Sequence, residues 1–209
     1  MTNIEFINKL LSDIKLTRQK ITKHNNIPLS QIKLETDEWK RVDNVACVFV
    51  DLENSTQLAT GDIQNAMNIF SIYGDSLVKI FNGYNAHYID IQGDGGFALF
   101  DGNNSFCNAY DTAITTNSLF NVCLELGVRI GADIGTIFVK KVGIRGENKE
   151  VWLGSPVNIA SKLCNLKISD VNNIRISKIF FNKLPNGDKK FFELSNNFYH
   201  SSVFWKGIE

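Results

Sequence analysis

The chain has no surplus of either charge: lysine plus arginine number 22, and aspartate plus glutamate number 22. A nucleic-acid or anionic-membrane partner calls for a basic excess, so the balance argues against both. There is no CxxC pair. The four cysteines, Cys47, Cys107, Cys123 and Cys164, are scattered. Cys47 sits in an apolar run and Cys123 beside leucines, which points to small buried thiols and away from a disulfide frame or a zinc site. No apolar run approaches the roughly 20 residues that span a bilayer. The first residues also lack the basic, apolar, small-residue order of a signal peptide, so a cytoplasmic protein is expected.

What is present is an ordinary globular composition: 209 residues, 44% hydrophobic and 21% charged. That suffices for one domain with a proper core and some chain left over as an appendage. Ile4, Ile7, Leu11, Ile14 and Ile21 recur at helical steps and predict an amphipathic helix over 3–22. Such a helix is expected to pack on its own domain; the alternative is a short coiled-coil-like handle to a second subunit. Residues 24–43 show no clear period and are taken as a connector, so the division expected is 1–43 for helix and connector and 44–209 for a catalytic domain.

From residue 44 a regular alternation begins. Residues 44–50 read as a buried strand, and Ile63, Met67, Phe70, Leu77 and Phe81 mark one face of a long helix closed by Asn82-Gly83. Apolar runs 86–91 and 97–100 flank QGDGG, a β-hairpin pattern. A helix is expected from Phe106 to Phe120, strands over 126–134 and 136–143, and a short helix from Gly154 to Leu166 with Pro156 in its first turn. A strand over 172–176, a helix starting at Ser177 and a last strand over 197–206 complete the reading. The order β, α, β, β, α, β is the ferredoxin-like split βαβ arrangement: an α+β fold with a mainly antiparallel sheet, helices on one face and an added N-terminal helix.

The stretch VACVFVDLENST, 45–56, ends a buried-looking strand in a carboxylate, Asp51. A second carboxylate, Asp94, sits at the hairpin tip. If the hairpin lies beside the first strand, both reach one end of the sheet, where two carboxylates can hold Mg²⁺ together with substrate phosphates. Taken singly, Asp51 reads equally as a helix cap and Asp94 as a turn residue.

Four segments in order then resemble one family, the class III nucleotidyl cyclases, which are the adenylate and guanylate cyclase catalytic domains. VFVDLENST resembles their F-x-D-I-x-x-F-T, and IDIQGDGGFALF their K-x-I-G-D segment. VRIGADIGTIFVKKVG resembles R-x-G-x-x-x-G-x-x-x-x-x-x-G, and GSPVNIASKL resembles G-x-x-V-N-x-A-x-R-L. The match runs over about 44–166, and FWKG at 204–207 resembles the V-K-G near that domain's end.

The resemblance implies roles. Asp51 and Asp94, with the Leu52 carbonyl, would bind two Mg²⁺ (or Mn²⁺) ions. Arg129 and Lys206 would contact the triphosphate, and Asn158 would orient the ribose. Ser55, Thr56 and nearby backbone N–H groups would cradle phosphates where the chain turns into the long helix. The family's site is shared: metal aspartates come from one subunit, and the asparagine and transition-state cation from the other. A homodimer follows, with an isologous interface as the simplest closure.

Three departures matter. The family's transition-state arginine is Lys162, which keeps the charge but loses the planar fork. A solvated helix residue is the alternative for Lys162, and Arg145 is a further cation with no motif behind it. Where adenylate cyclases carry lysine and guanylate cyclases glutamate to read the base, this chain has Asp90. An ionised carboxylate only accepts, which suits uracil N3–H, cytosine N4 or guanine N1–H and N2 and not adenine N1. The partner position is Val151, and its neighbour Trp152 is placed to wall the base pocket.

Neither purine code is intact. The altered code on a compact cyclase domain resembles the bacterial pyrimidine cyclases of antiphage (Pycsar) systems, which make cyclic UMP or cyclic CMP for a separate effector. Ordinary guanylate or adenylate cyclase signalling, a degenerate nucleotide-binding module and, last, a polymerase-like palm are the alternatives.

Overall fold

The computed structural model describes residues 2–14, 18–32, 38–144, 147–166, 168 and 172–207. The first half contains α1 (Asn3–Asp13), β1 (Lys20–His24), β2 (Glu38–Leu52), α2 (Ser55–Thr60), α3 (Ile63–Gly83), β3 (Tyr88–Gln92), β4 (Gly95–Phe100) and α4 (Ser105–Asn117). It continues with β5 (Val128–Ile144), β6 (Glu147–Gly154), α5 (Ser155–Asn165), β7 (Ile174–Ser177), α6 (Lys178–Lys183), α7 (Asn186–Lys189), β8 (Glu193–Ser195) and β9 (Phe198–Ser201).

The sheet runs β3-β4-β2-β5-β7-β9-β8, with β1 paired to β2 and β6 to β5. The β1–β2 and β5–β7 pairs are parallel and the other pairs antiparallel. This is the α+β open sheet expected. Side chains alternate along each strand, so the two faces separate cleanly. Val48, Val50, Ile130 and Ala132 face Tyr73, Leu77 and Phe81 of α3 and Ala109 and Ala113 of α4. Each large side chain buried this completely contributes ~2 kcal/mol against exposure. Cys47, Phe49, Phe97 and Leu99 point to the other face, where α5 packs through Ala160.

The placement of α5 corrects the expectation of helices on one face only. Two glycines admit it. A Cβ on Gly131 would lie 2.0 Å from the Ala160 carbonyl oxygen, and one on Gly135 would lie 3.1 Å from Ser155 Oγ. Arg175, on β7 and 3% exposed, closes the far end of the helix. Its Nη1 donates to the carbonyls of Leu163 (3.1 Å), Cys164 (3.2 Å) and Leu166 (2.6 Å). A cation at orphan C-terminal carbonyls also meets the negative end of the helix dipole.

Several expectations are corrected. The helix expected over 3–22 ends at Asp13, and 20–24 is a strand. α1 buries none of its residues: Ile4, Ile7 and Leu11 are 71%, 53% and 61% exposed, so it does not pack on its own domain. The strand expected over 44–50 is β2, which begins at Glu38 inside the expected connector, and β1 joins the same sheet, so residue 43 is not an edge of the fold. Asp43 secures the join by pairing with Lys23 (2.8 Å) and Arg41 (2.9 Å) and accepting from Thr136 (2.8 Å). The two strands expected over 126–143 are one, β5. β6 and β8 were not foreseen. Cys47 and Cys164 are buried as expected, but Cys107 and Cys123 are exposed.

Candidate active site

Asp51 occupies the last turn of the pleat in β2, opposite Gly95 of β4 on one side and Arg129 of β5 on the other. Asp94 is the second residue of the two-residue turn joining β3 and β4. Its neighbour Gly93 takes φ +62, a left-handed conformation that side chains rarely adopt. The Asp94 carbonyl accepts from Leu52 N at 2.9 Å, which ties the hairpin tip to the end of β2. Both carboxylates, with Leu52, Ser55, Thr56 and Arg129, line one open cavity of about 570 Å³.

Within that cavity Arg129 Nη2 donates to Asp51 Oδ2, and Ser55 Oγ donates to Asp94 Oδ2. Arg129 Nε lies 3.8 Å from Glu53 Oε1 and has no hydrogen-bond acceptor. The expected triphosphate contact Arg129 is thus in the site, where it pairs with a carboxylate. Burying an arginine with an idle N–H costs free energy unless an acceptor arrives, which suits a site that receives phosphate oxygens.

The donor set fits Mg²⁺ or Mn²⁺. It offers hard oxygens from two carboxylates and a carbonyl, each carboxylate already facing a donor. Among the described residues no group of three or more His, Cys, Asp or Glu side chains converges as a self-sufficient metal cage. A cation here would therefore complete its shell from water and substrate.

Asn158 and Lys162 do not join this cavity. They are one turn apart on α5, both exposed, on the sheet face that also carries Asp51 and Arg129. Asp90 lines a separate recess of about 260 Å³ with Phe49, Gln92 and Phe97. Gln92 Nε2 donates to Asp90 Oδ2 at 3.1 Å. The expected alternation holds for Asp90 and Gln92, whereas Asp94 lies in the turn. Phe49 stacks on Phe97 at 4.8 Å, Tyr88 meets Phe97 at 5.8 Å, and Trp152 meets Tyr88 at 4.5 Å. Trp152 does not line the recess itself and reaches its aromatic ring Phe97 through Tyr88. Val151, one residue earlier on β6, points to the opposite side and is 39% exposed, so it lines neither recess.

Two further expectations are corrected. Lys206 borders a different cavity, against Phe106 and Tyr110 of α4, and not the one that holds Asp51. The turn after Asp51 leads into the short helix α2, and the long helix α3 starts separately with Asp62 capping Gln64 N at 3.0 Å. Arg145 lies outside the described residues. Glu53, Gln57 and Asn165 also line the carboxylate cavity and were not foreseen. Glu53 had a signal, its place in the same strand-end turn as Asp51; Asn165, at the end of α5, had none.

No protein-family model matches the chain. It is 30% identical over 170 residues to a uridylate cyclase from Propioniciclava tarda, covering 73% of this chain and 54% of that protein. It is 31% identical over 159 residues to a uridylate cyclase from Micromonospora echinofusca, covering 68% of this chain and 52% of that one. The chain thus spans about half the length of these curated relatives. Among solved structures, the adenylyl cyclase CyaB from P. aeruginosa superposes with a TM-score of 0.63 at 18% identity, over 78% of this chain and 95% of that one.

Proposed function

We propose, from a chain that carries the class III nucleotidyl cyclase fold and that family's motifs in order, that it converts a nucleoside triphosphate to its 3′,5′-cyclic monophosphate and pyrophosphate. The observation that carries the reading is one cavity at a sheet end lined by Asp51, Asp94, Arg129 and Ser55. The preferred substrate is UTP, with CTP second. The named relatives act as uridylate cyclases, and Asp90 offers an acceptor that uracil N3–H meets directly.

The ribose 3′-oxygen attacks the α-phosphorus, the 3′-hydroxyl proton passes to solvent water, and the bond from the α-phosphorus to the bridging oxygen breaks with its electron pair going to the departing pyrophosphate. Attacker and target belong to one molecule, so holding the ribose against the α-phosphate does most of the work. Asp51 and Asp94 would hold Mg²⁺, two ions by resemblance, which lowers the pKa of the 3′-hydroxyl and neutralises phosphate charge when bound. Arg129 exchanges its carboxylate partner for phosphate oxygens. Asn158 orients the ribose, and Lys162 donates to the charge that develops on the α-phosphate.

Asn158 and Lys162 lie outside the cavity of their own protomer, which supports a homodimer in which they complete the partner's site. We extend the reading to a second-messenger role in antiphage defence, with a separate effector that binds the cyclic product. The substitution of arginine by Lys162 favours a second reading, a binding module without turnover.

Incubating the purified chain with each of the four ribonucleoside triphosphates and Mg²⁺ or Mn²⁺ tests this. Cyclic UMP as the main product is expected. Product from ATP or GTP alone overturns the pyrimidine assignment, and no cyclic product from any of the four overturns the enzyme.

A further inference from the structure

A cavity of about 840 Å³ lies on the helical face, across the sheet from Asp51. That volume is in the range of small-molecule sites. One wall is α4, whose Phe106 and Tyr110 rings lie nearly parallel at 6.1 Å. The opposite wall is the segment after β9, with Phe204 and Trp205. This wall is held in place: Asn117 Nδ2 donates to the Val203 carbonyl at 2.9 Å, and Trp205 Nε1 donates to Thr115 at 2.8 Å. The lining is mainly aromatic and aliphatic with two serines, and its charged members are two carboxylates, Asp111 on α4 and Asp188 on α7, and one cation, Lys206, at the end of the second wall.

Two carboxylates against one ammonium leave a net negative cavity among aromatic faces. Burial first, then the Asp188 charge, raises the pKa of Asp111. Burial first and then the same Asp188 charge raise the Tyr110 hydroxyl. Among the residues that line the cavity, Lys206 alone is a cation against these two acids. A ligand ammonium would supply a second positive charge and gain cation–π contact with the ring faces, while an apolar body fills the volume.

We propose that this cavity is a binding site for a hydrophobic organic ammonium, with the charged head between Asp111 and Asp188 and the apolar body against Phe106, Tyr110, Phe204 and Trp205. The occupant contacts the segment that carries Lys206.

The test uses the whole chain and three probes of one shape: 1-naphthylmethylammonium, neutral 1-naphthylmethanol and 1-naphthoate. Calorimetry is expected to show the ammonium binding about tenfold tighter than the alcohol, and the naphthoate weakest, from one charge-assisted contact. Asp111→Asn with Asp188→Asn removes the preference for the ammonium and leaves the alcohol unchanged. Cys107 lines the cavity and is exposed, whereas Cys123 is exposed outside it. The ammonium is therefore expected to slow maleimide labelling of Cys107 and not of Cys123 in the parent protein, a readout that stands even if the double variant does not fold. Equal affinity for all three probes, preference for the naphthoate, no binding, unprotected Cys107, or a crystal structure with the chain's own C-terminus filling the cavity overturns the proposal.

Discussion

Asp51 and Asp94 face one cavity and each already holds a donor, Arg129 and Ser55 respectively. Asp51→Asn or Asp94→Asn removes a charge that the proposed cation needs and keeps the shape. Each is expected to lower kcat by ~10²-fold or more while the thermal midpoint stays within a few degrees. Lys162 lies exposed on α5, and a fork in its place grips two phosphate oxygens instead of one. Lys162→Arg is expected to keep or raise kcat, and Lys162→Met to lower it by ~10-fold or more with the midpoint unchanged. Equal kinetics for all three side chains would make Lys162 a solvated surface residue.

A third residue-scale prediction concerns Asp133, buried on β5, where Ser177 Oγ donates to Oδ1 and Oδ2 has no partner. Burial raises its pKa above the ordinary value. For a raised acid the stabilising contribution is complete below the unfolded pKa of ~4 and is lost as pH rises through the folded value. Denaturant unfolding at pH 4 and pH 7 should therefore show the parent losing more stability than Asp133→Asn over that interval. An identical loss in both proteins removes Asp133 as the cause.

At the scale of elements, α5 is a platform clamped from two sides. Gly131 leaves no room for a side chain beneath Ala160, and Arg175 ties three carbonyls at the far end. Gly131→Ala is expected to destabilise the fold by ~2 kcal/mol or more and to lower turnover by moving Asn158 and Lys162. Gly74→Ala, in α3 with nothing within 4 Å of the added carbon, is the control and is expected to be neutral or stabilising. Unfolding midpoints and kcat of both variants check this.

The same glycines show how far the sequence could be read. The motif that holds Asp51, the hairpin with Asp94 and the helix with Asn158 were legible because each couples a hydrophobic period to a turn signal. The two strands expected over 126–134 and 136–143 are one, and Gly135 between them lies in mid-strand, where it admits Ser155 and Pro156 of α5. β1 was hidden because Ile21 continues the spacing of Ile4, Ile7, Leu11 and Ile14, and pairing with β2 overrides that period. Asn165 and Glu53 enter the site through tertiary approach, which local patterns do not record.

For the whole molecule, one protomer presents carboxylates in a cavity and Asn158 and Lys162 outside it, on the same open face of the sheet. That division is the structural reason to propose two copies. α1 exposes its apolar stripe along its length, with Ile4, Ile7 and Leu11 at 71%, 53% and 61% exposure. No helix of the described residues is long and apolar enough to cross a membrane.

We propose that each site is built by two protomers, and mixing two inactive variants tests this most directly. Asp51→Asn with Asp94→Asn disables the cation-holding half; Asn158→Ala with Lys162→Met disables the other half. Equal amounts, unfolded and refolded together, give about half mixed dimers, each with one intact site out of two, so cyclic UMP production should return to about a quarter of the parent rate. Turnover that stays at the level of the separate variants, in a mixture shown to contain the mixed dimer, would contradict the account.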